Sequence, residues 1–323
     1  MPLTLLRRPL TLALGLWLAG SAAAAVPAYD PPAPLLRDGF SATAPWDVNN
    51  AGTIVGESDG VGFVFQGGVF TSVLHPLASA GTVLTGIADD GLLGGTYFFG
   101  DAGTPRSAGF LLQGASFEAL VVPGAISTAL RDLSPNGRYV GGTWNDSAGA
   151  THGFVLDRLS GEFTHVPAGP LGEPSIVQGV NNAGLAVGSF VRAVPGGAPQ
   201  LGAFTLDLAT GARTEYLAAA GLERPRFRGV NAEGLVSGFG GPGANVAFVG
   251  NPITGEWTVL RSTPAGTNSF AYGINDFGVV VGFDLAAGTS AYRGWVATPV
   301  PEPATWALMA LGLAAAGALA RRR

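Results

Sequence analysis

Two clusters in this 323-residue chain have the residue types and spacing of a binding surface. Asp89-Asp90, Asn181-Asn182 and Asn275-Asp276, with Asn49-Asn50, recur at one place in a repeated phrase. Oxygens gathered in that way suit a calcium ion or the hydroxyls of a sugar, both of which take oxygen ligands. Asn and Asp are also the residues of tight turns, because they bond to their own backbone and tolerate positive φ. Turn chemistry therefore accounts for them before any ligand does. The second cluster is Arg224-Pro225-Arg226-Phe227-Arg228. On a strand its arginines fall on one face with period two. That pattern would grip an acidic polysaccharide, or else form a solvated strand face.

Other chemistry is thinly represented. The three histidines, His75 in one unit and His152 and His165 in different parts of another, make no H-x-x-x-H or H-E-x-x-H pattern. With no cysteine, disulfides and thiolate metal sites are excluded. The chain has no G-x-S-x-G elbow, P-loop or S-x-x-K. Paired carboxylates for glycoside hydrolysis leave no local pattern when they come from distant segments, so a glycan-acting hydrolase or lyase stays open as the alternative to a non-catalytic protein. No catalytic residue is assigned, no metal is expected, and no cofactor is implied, with calcium the one candidate. Every basic residue is arginine, and residues 26–300 carry twelve of them against 21 carboxylates, a formal charge of −9. Nucleic acid is an unsuitable partner for such a surface.

The elements that would position these residues are repeats. DVNNAGTIVG at 47–56 returns as GIADDGLLGG at 86–95, DLSPNGRYVG at 132–141, GVNNAGLAVG at 179–188, GVNAEGLVSG at 229–238 and GINDFGVVVG at 273–282. Their turn glycines are Gly52, Gly91, Gly137, Gly184, Gly234 and Gly278, spaced 39, 46, 47, 50 and 44 residues apart. A second glycine follows four residues later in each phrase, Gly141 in the third. An apolar residue ends one strand, turn residues follow, and an apolar strand resumes, so each phrase reads as a β-hairpin. A small residue then precedes an aromatic, as in Gly62-Phe63, Gly153-Phe154 and Gly294-Trp295, and a last alternating strand follows. Four short strands in about 45 residues is the period of a propeller blade. The expected fold is all-β: a six-bladed β-propeller over 26–299, with units near 41–80, 81–124, 125–170, 171–222, 223–266 and 267–299. The sixth unit lacks its fourth strand, and the segment 33–38 could supply it, removing the open edges.

The ends read as addresses. Residues 1–25 have Arg7-Arg8, an apolar stretch from Leu10 to Leu18, and an alanine run in which Ala23 and Ala25 fit a signal-peptidase site. The tail, 300–323, opens on Pro301-Glu302-Pro303, continues through an uncharged run from Thr305 to Ala320, and ends on Arg321-Arg322-Arg323. As a helix that run is ~24 Å long, a short transmembrane segment whose arginines stay cytoplasmic. This tail resembles the PEP-CTERM sorting signal. The resemblance implies recognition by an exosortase-type enzyme in a Gram-negative bacterium, an inner-membrane-anchored intermediate, and then a cell-surface or extracellular destination. It also implies a role in exopolysaccharide or biofilm. The repeats resemble the HAF-type extracellular repeat, whose G-I-N-x-x-G-x-x-V-G phrase matches best at 273–282 and 179–188. Of its His-Ala-Phe tripeptide, His152-Gly153-Phe154 alone keeps the histidine. Together these features predict an exported, non-catalytic structural or adhesive protein.

Overall fold

The computed structural model describes residues 24–100, 106–169, 173–260, 267–285, 288–289 and 291–300. Residues 1–23 of the 25-residue signal peptide and the sorting motif from Pro301 to Arg323 lie outside them.

Six four-stranded antiparallel sheets are arranged as the blades of a propeller. Their inner strands are Ala44–Val48, Thr82–Ile87, Ser127–Leu133, Ser175–Val180, Arg226–Val230 and Asn268–Ile274. Blades one to five run outward in chain order. Blade six takes its outermost strand from the N-terminus: Ala33–Leu35 pairs antiparallel with Tyr292–Ala297, with Pro34 opposite Trp295. A short hairpin, Ala218–Ala219 with Leu222–Glu223, sits between blades four and five.

The core is divided among the blade interfaces. Each interface buries one aromatic: Phe63, Phe110, Phe154, Phe204, Phe248 or Trp295, each at most 2% exposed. Phe154, for example, packs with Leu111, Leu120 and Val122 of blade two and Leu130 and Val140 of its own blade. The residue before each aromatic is small because the neighbouring blade approaches closely there. The second phrase glycine has a separate task, since the aromatic ring of the next strand lies across it. A Cβ on Gly188 would stand 2.0 Å from the Ile176 carbonyl oxygen and 2.6 Å from the Phe204 ring. In blade three the glycine under the ring is Gly142, paired with Phe154, and not Gly141. Arg138 lengthens that turn by one residue, so Ser134 N–H reaches Tyr139 O, whereas Asn49 N–H reaches Thr53 O. Truncating one ring leaves a cavity at a blade interface. Phe154→Ala should cost about 3–5 kcal/mol in equilibrium urea unfolding; a loss below about 1 kcal/mol would deny the ring its interface role.

Candidate functional site

The phrase turns gather on one face. Their glycines (Gly52, Gly91, Gly137, Gly184, Gly234 and Gly278) have φ between 69° and 85°, a region that glycine enters freely. The asparagine that opens the phrase does two jobs. Asn275 Oδ1 accepts the N–H groups of Phe277 and Val279, and its Nδ2 donates to Asn49 O at 3.0 Å. Asn49 donates to Ala88 O, Asn181 to Asn231 O, and Asn231 to Asn275 O. Each bond passes from one blade to the next in the same sense, and the bond from Asn275 links the last blade to the first. Where the residue differs, the turn finds a local substitute. In blade two, with Ala88 in the asparagine's place, Asp90 Oδ1 accepts the Leu92 N–H. In blade three Ser134 Oγ accepts the Tyr139 N–H.

A second belt lies outside the first. Asn50 N–H donates to Asp89 Oδ1, Asn136 N–H to Asn182 Oδ1, Ala232 N–H to Asp276 Oδ1, and Asp276 N–H to Asn50 Oδ1. The structure thus brings Asp89 and Asp276 together around the Asn50 amide. Asp90 is occupied in its own turn. Asn181 and Asn275 are buried, with their amides spent inside the fold. Asn275→Ala leaves a carbonyl and two N–H groups without their partner. It should cost roughly 3 kcal/mol, read as a shift of the thermal midpoint. Asn182→Ala, which removes one exposed acceptor, should cost under about 1 kcal/mol.

Inside the belts every inner strand carries a β-bulge just before its phrase. An extra residue in one strand turns its side chain away from the regular ladder. The six bulges direct Trp46, Thr85, Arg131, Gln178, Arg228 and Tyr272 into one axial pocket. The pocket has a cavity of ≈ 30 Å³, room for about two waters. Beside this ring stand Asp47 and Asp132, each bridging to the following blade. Asp47 accepts the N–H groups of Val48 and Ile87, and Asp132 accepts that of Val180. At the same place blades two, four, five and six have Gly86, Gly179, Gly229 and Gly273, where a Cβ would meet neighbouring backbone or the Asp47 side chain at 2.6–2.8 Å.

Burial dominates the electrostatics of the pocket. It pushes Asp47 up to about 7, against the pull of the Ile87 and Val48 N–H groups. It holds Asp132 well above the usual carboxylate range, and the Asp47 charge adds to this. Burial also brings Arg131 down to about 10, and the Arg228 guanidinium pushes the same way.

The arginine cluster divides. Arg226 and Arg228 share a face, their guanidinium carbons 5.7 and 5.0 Å from the Phe239 ring centroid, and Arg228 is also 4.9 Å from that of Tyr272. Arg224 precedes the strand at φ 54° and does not join that face. Three arginines on one strand face was therefore one too many: the strand begins at Arg226, and its bulge turns Arg228 to the axis. The arginine that Arg228 meets electrostatically is Arg131, which sequence reasoning passed over. Trp46, Asp47, Asp132, Gln178 and Tyr272 were missed with it. The signal for the ring residues was the position three before the phrase asparagine, where Trp, Thr, Arg, Gln, Arg and Tyr alternate; Asp47 and Asp132 stand one residue later, where the other units have glycine.

His152 and His165 both pack on the Trp144 ring, at 4.5 and 5.6 Å between centroids, while His75 lies in another blade. His75 stacks on Tyr97, and His152 Nε2 lies 2.8 Å from Asp146. Among the described residues no three His, Asp or Glu side chains gather as a metal site.

Fold and site together define a six-bladed β-propeller with a small polar pocket on its axis. The family model of the PEP-CTERM protein-sorting motif matches residues 299–323. The motif supports exosortase-dependent export and a membrane-anchored intermediate bound for the cell surface. No curated protein matches the chain. Among solved structures it is similar to TolB from Acinetobacter baumannii, with 13% identity, 80% of this chain and 64% of that chain covered, and a TM-score of 0.45. It is similar to a putative TolB from Agrobacterium tumefaciens, with 14% identity, 66% and 75% covered, and a TM-score of 0.47. A puromycin hydrolase matches with 17% identity, 87% and 48% covered, and a TM-score of 0.45. The chain thus spans under two thirds of the first TolB and about half of the hydrolase. At these identities the likeness concerns the fold alone.

Proposed function

We propose that this protein is an exported, non-catalytic binding propeller, sorted to the cell surface, where it serves as a structural or adhesive component in contact with an acidic exopolysaccharide. The observation that carries the reading is the axial ring: six bulges present six side chains, of five types, in a unit that otherwise repeats. A scaffold that varies at one inward-facing place is organised for recognition. The HAF-type reading of the repeats agrees with an extracellular setting. The aspartates support a non-catalytic role, because Asp47 and Asp132 are engaged by backbone N–H groups that join one blade to the next.

One observation favours the alternative, a glycan-acting enzyme. Two coupled carboxylates with displaced pKa values beside a pocket are what acid–base catalysis uses. The test is binding of the producing organism's own exopolysaccharide at low and high salt, with the reducing ends of the glycan measured alongside. Salt-sensitive binding without new reducing ends supports the proposal. Reducing ends that accumulate, and cease to do so in Asp47→Asn, support the enzyme. Neither binding nor cleavage removes both.

A further inference from the structure

Three arginines on the described surface have carboxylate partners. Arg138 pairs with Asp157 at 2.6 Å, and Arg192 and Arg213 both pair with Glu215. On the axis the arrangement differs. Arg131 and Arg228 face the same cavity, and the Nε of each is buried with no hydrogen-bond partner. Trp46 Nε1 is a third buried donor without a partner. Among the described residues neither axial arginine has an ion pair. The nearby aspartates do not serve them: the oxygens of Asp47 and Asp132 face backbone N–H groups of their own and the next blade. Two half-buried guanidiniums held at one pocket repel each other and lose part of their hydration, and a charge so placed without a counter-ion is costly. Such a site accepts an anion more readily than any other ligand.

Size and shape narrow the choice. A cavity of ≈ 30 Å³ holds about two water-sized atoms. A guanidinium is a planar fork that meets the two oxygens of a carboxylate. The six inner strands leave no room for a sugar ring between the arginines, so the group that enters must project from its carrier. We propose that the axial pocket is a binding site for a single carboxylate group, held by Arg131 and Arg228 with the Trp46 indole N–H as a further donor. The inference deepens the binding-scaffold reading above by naming the chemical group at its centre.

The surroundings set a pH dependence. The titratable groups on the inner strands and the turn belt facing the site are Arg131, Arg228, Asp47, Asp132 and Tyr272, with Arg226 at the start of its strand and Asp89 and Asp276 at the mouth. Asp47 loses its proton as pH passes about 7. Above that value the pocket carries an added negative charge, and the ligand should bind less well.

Isothermal titration of the full chain with sodium acetate and sodium glucuronate, both ionised throughout, at pH 5.5 and 8.5 tests this. The expected result is one site per chain, bound about tenfold more tightly at the lower pH. Arg131→Gln and Arg228→Gln should each weaken it at least tenfold, Arg131→Lys less, and the exposed Arg293→Gln should leave it unchanged. Circular dichroism checks each variant. If Arg131→Gln does not fold, Arg228→Gln and Arg131→Lys carry the comparison. Equal affinity for glucuronate and a glucuronate-terminated oligosaccharide assigns the site to a free acid, and tighter oligosaccharide binding assigns it to a glycan end. Absence of binding by the folded chain at pH 5.5, or equal binding by both glutamine variants, overturns the inference. Exopolysaccharide binding that survives in those variants would leave the adhesive reading standing and reject this one.

Discussion

A chain lacking residues 26–38 should lose its cooperative fold, not merely one strand. Leu35, 7% exposed, packs with Val48, Ile54 and Phe63 of blade one and Val281 of blade six. It therefore seals the join between the last blade and the first. Tyr29 Oη donates to Gly278 O, Asp30 N–H to Thr298 O, and Thr258 Oγ1 to Pro27 O. Burial of Leu35 contributes about 2 kcal/mol, and each lost hydrogen bond about 1 kcal/mol. With the strand ladder the sum is roughly 5 kcal/mol or more, comparable with the whole stability of many domains. The freed edge of Tyr292–Ala297 is also open to pairing with other chains. Urea unfolding and sedimentation of the shortened chain should show a lost or broadened transition and association. A sharp transition at the midpoint of the intact chain would mean that the ring is not closed by this strand.

The second large effect is an acid-favoured stability. In the folded protein Asp47 titrates at about 7, against 3.8 for an unperturbed aspartate. Between those values the native state keeps a proton that the unfolded chain has released. The resulting stability is full below about 3.8 and is lost as pH rises through about 7. The gap corresponds to roughly 4 kcal/mol at most. Asp132 and Glu57 are displaced in the same direction by burial. His75 acts oppositely, because burial lowers its pKa and its contribution is lost as pH falls below 6.5. Asp59, Asp146, Asp157 and Asp207 are held below the usual range by hydrogen bonds, so their contribution disappears only under strong acid. The urea midpoint should be higher at pH 5 than at pH 8, and Asp47→Asn should flatten part of that slope, Asp132 carrying the rest. A midpoint that climbs from pH 5 to pH 8 would contradict the assignment.

The fold was legible because each unit announces its turns. The glycines needing positive φ stand in one column, and the small residue before each aromatic marks the close approach of blades. Even the closing strand was legible, from a unit one strand short. The axial site was hidden for a physical reason. A bulge adds one residue to a strand and leaves no composition signal, so Arg131 and Trp46 read as ordinary strand residues. Arg228 was noticed for its charge and assigned to the strand face shared with Arg224. The phrase asparagines drew attention as ligands when their amides join one blade to the next. Gly142 escaped because a turn longer by one residue moves the glycine without changing the look of the phrase.

The N-terminal strand also decides how the molecule would bear a load. Without it, Tyr292–Ala297, the strand that leads to the sorting tail, would be the outermost of its blade and would peel off one bond at a time. As folded, it is flanked on both sides, by Ala33–Leu35 and by Val280–Leu285. The chain then leaves beside its own beginning, with Val300 N–H bonded to Ala28 O. Tension applied at the tail meets two ladders at once and must shear them together. If the tail holds the protein and the axis binds outside it, as proposed above, the pull arrives at this doubly flanked strand.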